Sequence, residues 1–428
     1  MYSIAEDHID PNLLFCGTEF GLFFTQNGGE TWIQLKFGLP TIAVRDLEIQ
    51  RRENDLVLAT FGRGFYVLDD YSPLRNLKTE TFDQAASIFP VKDALMFIPN
   101  KPLGLRDKGH LGSSYYATPN PPVGAVFTYW LKEDIKTLKA KRQEAEKAKS
   151  DKKEPVYYPD IEALRKEDEQ PEPYLLFTIT DADGDVVRHL KASASKGLTR
   201  IVWDFRYNTI APVLGRYKPT PDQLFGGEET GQLALPGTYS VSLSKYEDGV
   251  LTTIAGPVKF NCKALNNVTL PATDLPAYAD FVAKVASLAK ALSATNNIRG
   301  DLSGQLSAIQ TAIQEMPAPA QDLLQKAYAL QRRLNAVTVQ LNGDATRGRR
   351  EFEAPSSIND RLGYAQGVMW STTSAPTQSA IDNYNLAAKQ FKPVLTELKS
   401  IAAEVTEMGK QLDVKGAPAT PGRWPSWE

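Results

Sequence analysis

The feature that most constrains this chain is a change of hydrophobic period near residue 270. Before it, apolar residues come in short runs broken by glycine, proline and Asn/Asp turn signals, as in antiparallel strands. After it they recur every three to four residues, the pattern of helices that each bury one stripe. One chain therefore carries two folding regimes, and 428 residues are too many for a single hydrophobic core. The expected fold class is multidomain, mainly β in its first part and followed by an α-helical bundle.

Within the helical part, Phe281, Val285, Leu288 and Leu292 form one stripe, and Leu302, Leu306, Ile309 and Ile313 a second. Leu323, Ala327, Leu330, Leu334, Val337 and Leu341 form a third. In the last, Ile381, Tyr384, Ala388, Phe391, Leu395, Leu398, Ala402 and Val405 alternate steps of three and four. Such stripes bury one another, which predicts a bundle over 271–413 with a short tail, 414–428. No metal-spaced His, Asp or Glu cluster falls on the inward positions, and His8, His110 and His189 lie far apart, so neither metal nor cofactor is expected.

In residues 1–77 the candidate strands are LLFCGT, GLFFTQ, TWIQL, RDLEIQ, DLVLAT and GFYVLDD. Between the second and third lies Thr25-Gln-Asn27-Gly-Gly29-Glu-Thr31-Trp32. Asn27 can fold its side chain back onto nearby amides, the glycines can take positive φ, and Trp32 is expected to enter the next strand as a buried anchor. The near-balanced formal charge of −3 excludes a polybasic surface, so no nucleic-acid partner is expected. Two cysteines, Cys16 and Cys262, are too few and too separated for a disulfide framework. MYSIAEDHID has no basic and apolar leader, and no apolar run approaches the roughly 18 residues of a membrane span, so none is expected.

The T-x-N-x-G-x-T-W box resembles the Asp-box of bacterial neuraminidase (BNR) repeats, with asparagine in the usual aspartate position. Asp10-Pro-Asn12, Cys16-Gly-Thr18 and Gly21-Leu-Phe23 extend the likeness over a repeat. The run LVLATFGRGFYVLDD is similar to the last blade of propellers in the sortilin-like and xyloglucanase-like group. The resemblance implies that residues 1–77 are the closing blades of a partial β-propeller, with further blades upstream in the same polypeptide and Met1 not the natural beginning. It also implies that Thr25, Asn27, Gly29, Thr31 and Trp32 are structural.

Beyond Tyr71-Ser-Pro73 a proline- and glycine-punctuated stretch, 78–123, reads as a linker packing on the propeller or on the next domain. Seven or so short strands then predict a β-sandwich over 124–265. Lys196-Gly197, Ile201-Val-Trp203-Asp204 and Leu235-Pro-Gly-Thr-Tyr239 resemble the immunoglobulin-like domain of the flagellar hook-capping protein, which implies a core role for Trp203. A charged insertion, 132–171, reads as exposed helices broken between Pro155 and Pro159. The segments Met369-Trp370-Ser-Thr-Thr-Ser-Ala-Pro-Thr377 and Gly416 to Pro425 are similar to exported bacterial propeller proteins often labelled glycosyl hydrolases; in these, tryptophan is common at the position of Ala419.

Arg63, in Phe61-Gly-Arg-Gly-Phe65, has two readings: a ligand-binding guanidinium carried between glycines, or an arginine that pairs with Asp69 or Asp70 to lock the last blade. No catalytic residue can be assigned. The favoured expectation is a non-catalytic portion of an exported protein, binding or scaffolding a polysaccharide or protein ligand. The alternative is part of a glycoside hydrolase whose paired carboxylates lie in the upstream blades.

Overall fold

The computed structural model describes residues 1–36, 38–99, 118–212, 231–265, 270–318 and 320–424. The fold is multidomain, several β-sheets followed by a helical region, and it divides into two compact units. One is Met1–Phe205 with Pro236–Leu265; the other is Arg206–Leu235 with Asn266–Glu428.

The first unit opens with a four-stranded antiparallel sheet of β1 (Ser3–Glu6), β2 (Leu14–Thr18), β3 (Gly21–Thr25) and β4 (Ile33–Leu35), paired in sequence order. A three-stranded antiparallel sheet follows, of β5 (Val44–Gln50), β6 (Asp55–Thr60) and β7 (Phe65–Leu68). Strand alternation sends Phe15, Leu22 and Phe24 to one face of the first sheet and Leu47, Ile49, Leu56 and Leu58 to one face of the second. Those two faces form a shared core with Val44, Tyr71 and Leu74. At Gly17 a Cβ would lie 2.7 Å from the Val44 carbonyl oxygen, so only glycine lets β5 pass this close to β2.

A 3₁₀ turn (Ser72–Asn76) and the short helix α1 (Thr79–Asp83) lead into a β-sandwich. One sheet has the order β13-β10-β8 and the other β12-β11-β14-β15-β9. Their strands are β8 (Ala86–Ile88), β9 (Ala94–Met96), β10 (Ala125–Leu131), β11 (Tyr174–Thr180), β12 (Val186–Ser193), β13 (Gly197–Trp203), β14 (Gly237–Glu247) and β15 (Val250–Ala264). The stretch expected as a linker thus contributes structure of its own: β8 pairs antiparallel with β10, and β9 runs parallel to β15. Each is only three residues long, too short for its alternation to stand out in the sequence. Residues 100–117 of that stretch, His110 among them, lie outside the described residues.

Aromatic rings join the two sandwich sheets. Phe177 meets Tyr129 edge-on at 5.0 Å, and fully buried Trp203 meets Tyr239 at 5.0 Å and Phe205 at 5.7 Å. Such pairs are worth about 0.5–1.5 kcal/mol each beyond the area they bury. The charged insertion forms α2 (Leu138–Asp151) and α3 (Ile161–Glu169), neither with a buried residue, capped by Thr137 and Asp160. Arg142 joins the two helices through a bidentate pair with Glu167, at 2.7 and 2.8 Å.

The second unit is built on α4 (Leu275–Gln314), α5 (Gln321–Asn342), the single turn α6 (Ala345–Gly348), α7 (Ile358–Trp370) and α8 (Gln378–Val414). The first two stripes belong to one 40-residue helix. Leu302, Leu306, Ile309 and Ile313 are buried there as expected, and so is the whole α5 stripe from Leu323 to Leu341. Phe281 and Leu288 only flank the core, which takes Val285, Ala286, Ala289 and Leu292. On α8 the buried line runs Ala387, Phe391, Val394, Leu398, Ile401, Val405, Met408 and Leu412, one residue away from much of the expected stripe.

The segment 206–235, expected within the sandwich, belongs to the helical unit. Ile210 enters the helical core, Arg206 donates to the Trp370 carbonyl oxygen at 3.0 Å, and Arg206 bridges Leu233 as an isolated strand pair. Residues 213–230 lie outside the described residues. The tail is pinned to the end of α8 by Arg423, which donates to Asp413 at 2.7 Å and to the Pro418 carbonyl oxygen at 2.8 Å.

Candidate functional site

The two N-terminal sheets have two ends with different chemistry. At one lie the β1–β2, β3–β4 and β5–β6 connections and the segment after β7; at the other lie the β2–β3, β4–β5 and β6–β7 connections.

The turn from Thr25 to Trp32 occupies the first end, joining β3 to β4. Thr25 Oγ1 donates to Asn27 Oδ1 at 2.7 Å and accepts the backbone N–H groups of Asn27 and Gly29 at 3.3 and 3.1 Å. Asn27 Oδ1 also accepts the Thr31 N–H at 3.0 Å, while its Nδ2 donates to Thr31 Oγ1 at 2.9 Å. The carboxamide is thus spent on its own turn. Trp32 departs from expectation: it is 38% exposed, its ring lies against Gly29, and it does not enter the core. β4 begins only at Ile33, so the alternation that would turn residue 32 inward has not started.

Beside this turn sits a buried polar cluster that the sequence reading did not find. Asp7 Oδ1 accepts Tyr71 Oη at 2.5 Å and Arg75 Nη2 at 2.7 Å. Its Oδ2 accepts Arg75 Nε at 2.8 Å and the N–H groups of Asp10 and Ile9 at 2.8 and 3.2 Å. Arg75 Nη2 also donates to Asn54 Oδ1 at 2.7 Å, so three connections meet on one guanidinium. Burial works to raise the Asp7 carboxyl, but the bonds from Arg75, Tyr71 and the Asp10 amide outweigh it and hold the group well below the usual carboxylate range. Burial and the Asp7 contact together push the Tyr71 hydroxyl up. A general base or nucleophile needs a free lone pair facing a substrate; Asp7 has no exposed side-chain surface and both oxygens are taken. The cluster is a clasp that ties β1 to the chain after β7. Its partners are separated by 64 and 68 residues, and no local spacing announces them.

Arg63 lies at the opposite end, in the β6–β7 turn. Gly62 and Gly64 take φ of +81° and +68°, and Thr60 closes the turn on the Gly64 carbonyl oxygen at 2.7 Å. The pairing with Asp69 or Asp70 does not form. The four residues of β7 separate them, about 13 Å of extended chain, and the backbone carbonyl oxygens of Asp69 and Asp70 instead each accept from Arg200 at 2.6 Å. Among the described residues Arg63 has no ion-pair partner and stands exposed. Near it the Arg45 guanidinium covers the Tyr2 ring at 3.9 Å and approaches the Phe61 ring at 5.3 Å, and Tyr2 Oη donates to Glu19. Phe61 and Phe65 are 70% and 75% exposed. This end presents aromatic faces and two guanidinium groups to solvent, a set that can stack on a partner and donate to its acceptors.

The two described histidines do not converge: His8 stands beside the clasp, 3.4 Å from Tyr71 Oη, and His189 meets Thr178 at 3.2 Å on the sandwich. Among the described residues no group of three or more His, Cys, Asp or Glu is placed to hold a metal ion, and no helix is long and apolar enough to cross a membrane. Cys16 and Cys262 are free and buried, and burial pushes the Cys262 thiol up to about 12.

No family model and no curated protein matches this chain. Among solved structures it is similar, at 14% identity over 61% of its length and with a TM-score of 0.15, to PorZ, an essential bacterial surface component of the type-IX secretion system of Porphyromonas gingivalis. A second likeness, 12% identity over 62% of the chain and a TM-score of 0.14, is to the extracellular domain of a putative hybrid two-component system from B. thetaiotaomicron. The matched region spans 30% and 25% of those chains. At such scores neither likeness carries a fold or a function across, and what the chain does has to be read from its own residues.

Proposed function

We propose that this chain is the non-catalytic, binding and scaffolding portion of an exported β-propeller protein, with residues 1–77 as two adjacent blades and the sandwich and helices as a brace. The observation that carries the binding reading is the β6–β7 end, where Tyr2, Phe61 and Phe65 stand exposed around Arg45 and Arg63. Aromatic and arginine side chains dominate the energetics of protein interfaces, and among the described residues neither guanidinium of this patch is in a salt bridge. A protein partner fits that composition best. The blade reading is supported by what the two sheets leave uncovered. Register places Ile4 and Phe23, on either side of the buried Cys16, in one row on the outer face of the first sheet, and Val57 and Val67 on the outer face of the second. Ile4 and Val67 are each 53% exposed, as faces that would pack on further blades should be. Export is supported by the Asp-box resemblance alone.

The test is capture by the purified chain from a surface-protein extract of its own source, run beside a polysaccharide array, with wild type and a Phe61→Ala/Arg63→Ala double variant. The expected result is a protein retained by wild type and lost by the variant. Retention unaffected by the double substitution would move the binding site elsewhere, and a polysaccharide bound in its place would change the partner class.

A further inference from the structure

Beyond that reading, and on the other unit, the helices form a cleft whose chemistry points to a ligand of its own. It has a volume of about 440 Å³, within the roughly 300–1,000 Å³ typical of small-molecule sites, and lies between α4 and α7. None of its lining residues is charged. Ala289, Leu292, Leu362 and Ile210 supply apolar surface, with Trp370 lining it as well. Ser293, Asn297 and Gln366 line it too, are half-buried, and make no side-chain hydrogen bond among the described residues. The walls are tied together next to these groups: Asn342 Nδ2 donates to Asn296 Oδ1 at 3.2 Å, Asn296 Nδ2 to Asn359 Oδ1 at 3.4 Å, and Asn359 to Asn342.

Gly363 lines the same cleft from the middle of α7. Glycine weakens a helix interior, and packing usually explains why one is there. Here a Cβ would meet nothing within 4 Å, so no neighbour requires the glycine. Its missing side chain leaves open space at the cleft lining.

We propose that this cleft binds an uncharged polyhydroxyl ligand, one or two rings of a neutral saccharide. The absence of charge on the lining disfavours phosphates, carboxylates and sulfates, which call for cationic or dipolar partners. Carboxamides and a hydroxyl both donate and accept, as sugar hydroxyls do, and the apolar surface suits the C–H face of a ring. The polar rows are short. Ser293 to Asn297 spans about 6 Å along α4 and Asn359 to Gln366 about 10 Å along α7, enough for roughly three residues of an extended peptide, with no pocket for a charged side chain.

The experiment is saturation-transfer NMR and calorimetry on the full chain with cellobiose, maltose and N,N′-diacetylchitobiose, beside a capped alanine tripeptide. At least one disaccharide is expected to bind saturably. Gly363→Leu, which adds a bulky side chain at the cleft lining while improving helix propensity, should weaken that binding about tenfold or more without lowering the thermal midpoint. Asn297→Leu, on the opposite wall, should do the same, whereas Phe61→Ala/Arg63→Ala should leave it intact, which separates this site from the β6–β7 end. No binding by any of the three disaccharides, binding untouched by Gly363→Leu, or binding of the tripeptide alone would each overturn the proposal.

Discussion

The two N-terminal sheets and the helical unit close themselves in opposite ways. Each sheet buries one face, and one end of the pair is held by a charged clasp in which Asp7, Tyr71, Arg75 and Asn54 meet from distant stretches of chain. The helices bury continuous apolar lines, and their ion pairs, such as Arg333 with Glu397 and Glu404 at 2.7 and 2.6 Å, stay at the surface. A one-sided sheet has little apolar area with which to fix its first strand, and a short buried network supplies the missing definition. A helix seam repeats the same contact many times and needs no such device.

That contrast can be broken most sharply at Asp7. Replacing it with alanine leaves the Arg75 guanidinium facing a buried void, and removing one partner of a buried pair costs about 3–5 kcal/mol. Hydrogen exchange across residues 3–68 should speed up accordingly; unchanged protection there would show that the apolar face alone holds the sheets. The same group sets an acid limit. A carboxyl held below its unfolded value stabilises the fold at every pH above that value, about 3.9, and the contribution fades as pH falls through the range beneath it. Protection in β1 and β2 should therefore decline as pH drops below about 4 in the wild type, and the alanine variant should lack that slope.

On the helical side the comparable probe is Leu334, buried in the α5 line. Leu334→Ala should cost about 2–4 kcal/mol through lost transfer and a residual cavity, read as a lower urea midpoint for the helical signal. A loss under about 1 kcal/mol would mean that the seam collapses to fill the gap and is less closely packed than its burial suggests. Below both stands the turn from Thr25 to Trp32. Asn27→Ala removes bonds to Thr25 and Thr31 at a partly exposed site and should cost about 1 kcal/mol, visible as faster exchange at the Thr31 amide.

Much of this contrast could be read from the chain before the structure, and the parts that could not have physical reasons. The change from period two to helical period separated β from α, and the α5 line was legible residue by residue because no competing apolar line runs along it. On α8 two lines overlap: Phe391, Leu398 and Val405 belong to both, and the apolar Leu395 and Ala402 sit one position from the buried Val394 and Ile401. Periodicity cannot choose between them, since the choice belongs to whichever helix covers the face. The bonds of Asn27 to its own turn were legible because all of them close within a few residues. Trp32 was misread because a large apolar residue beside a turn looks like a core anchor wherever its ring goes. The clasp was illegible because Asp7 and Arg75 are ordinary charged residues until the fold brings them together. The amide-lined cleft depends on the same kind of long-range meeting, with Ser293 and Gln366 73 positions apart in the chain.

The smallest expected effect on stability is the one that says most about function. Arg63 sits between two glycines in a tight turn, and if it served the fold, as a lock on Asp69 or Asp70 would, its removal should register in unfolding. Its side chain stands in solvent, with Arg200 already on the Asp69 and Asp70 carbonyls, so Arg63→Ala should shift stability by no more than about 0.5 kcal/mol. Arg200→Ala, by contrast, removes two hydrogen bonds from a charged donor and should cost more, about 1–3 kcal/mol. A ranking with Arg200 above Arg63 in thermal unfolding would assign the locking role to the sandwich strand and leave Arg63 free for a partner. The reverse ranking would return Arg63 to a structural role and take away one of the two guanidinium groups on which the binding reading rests.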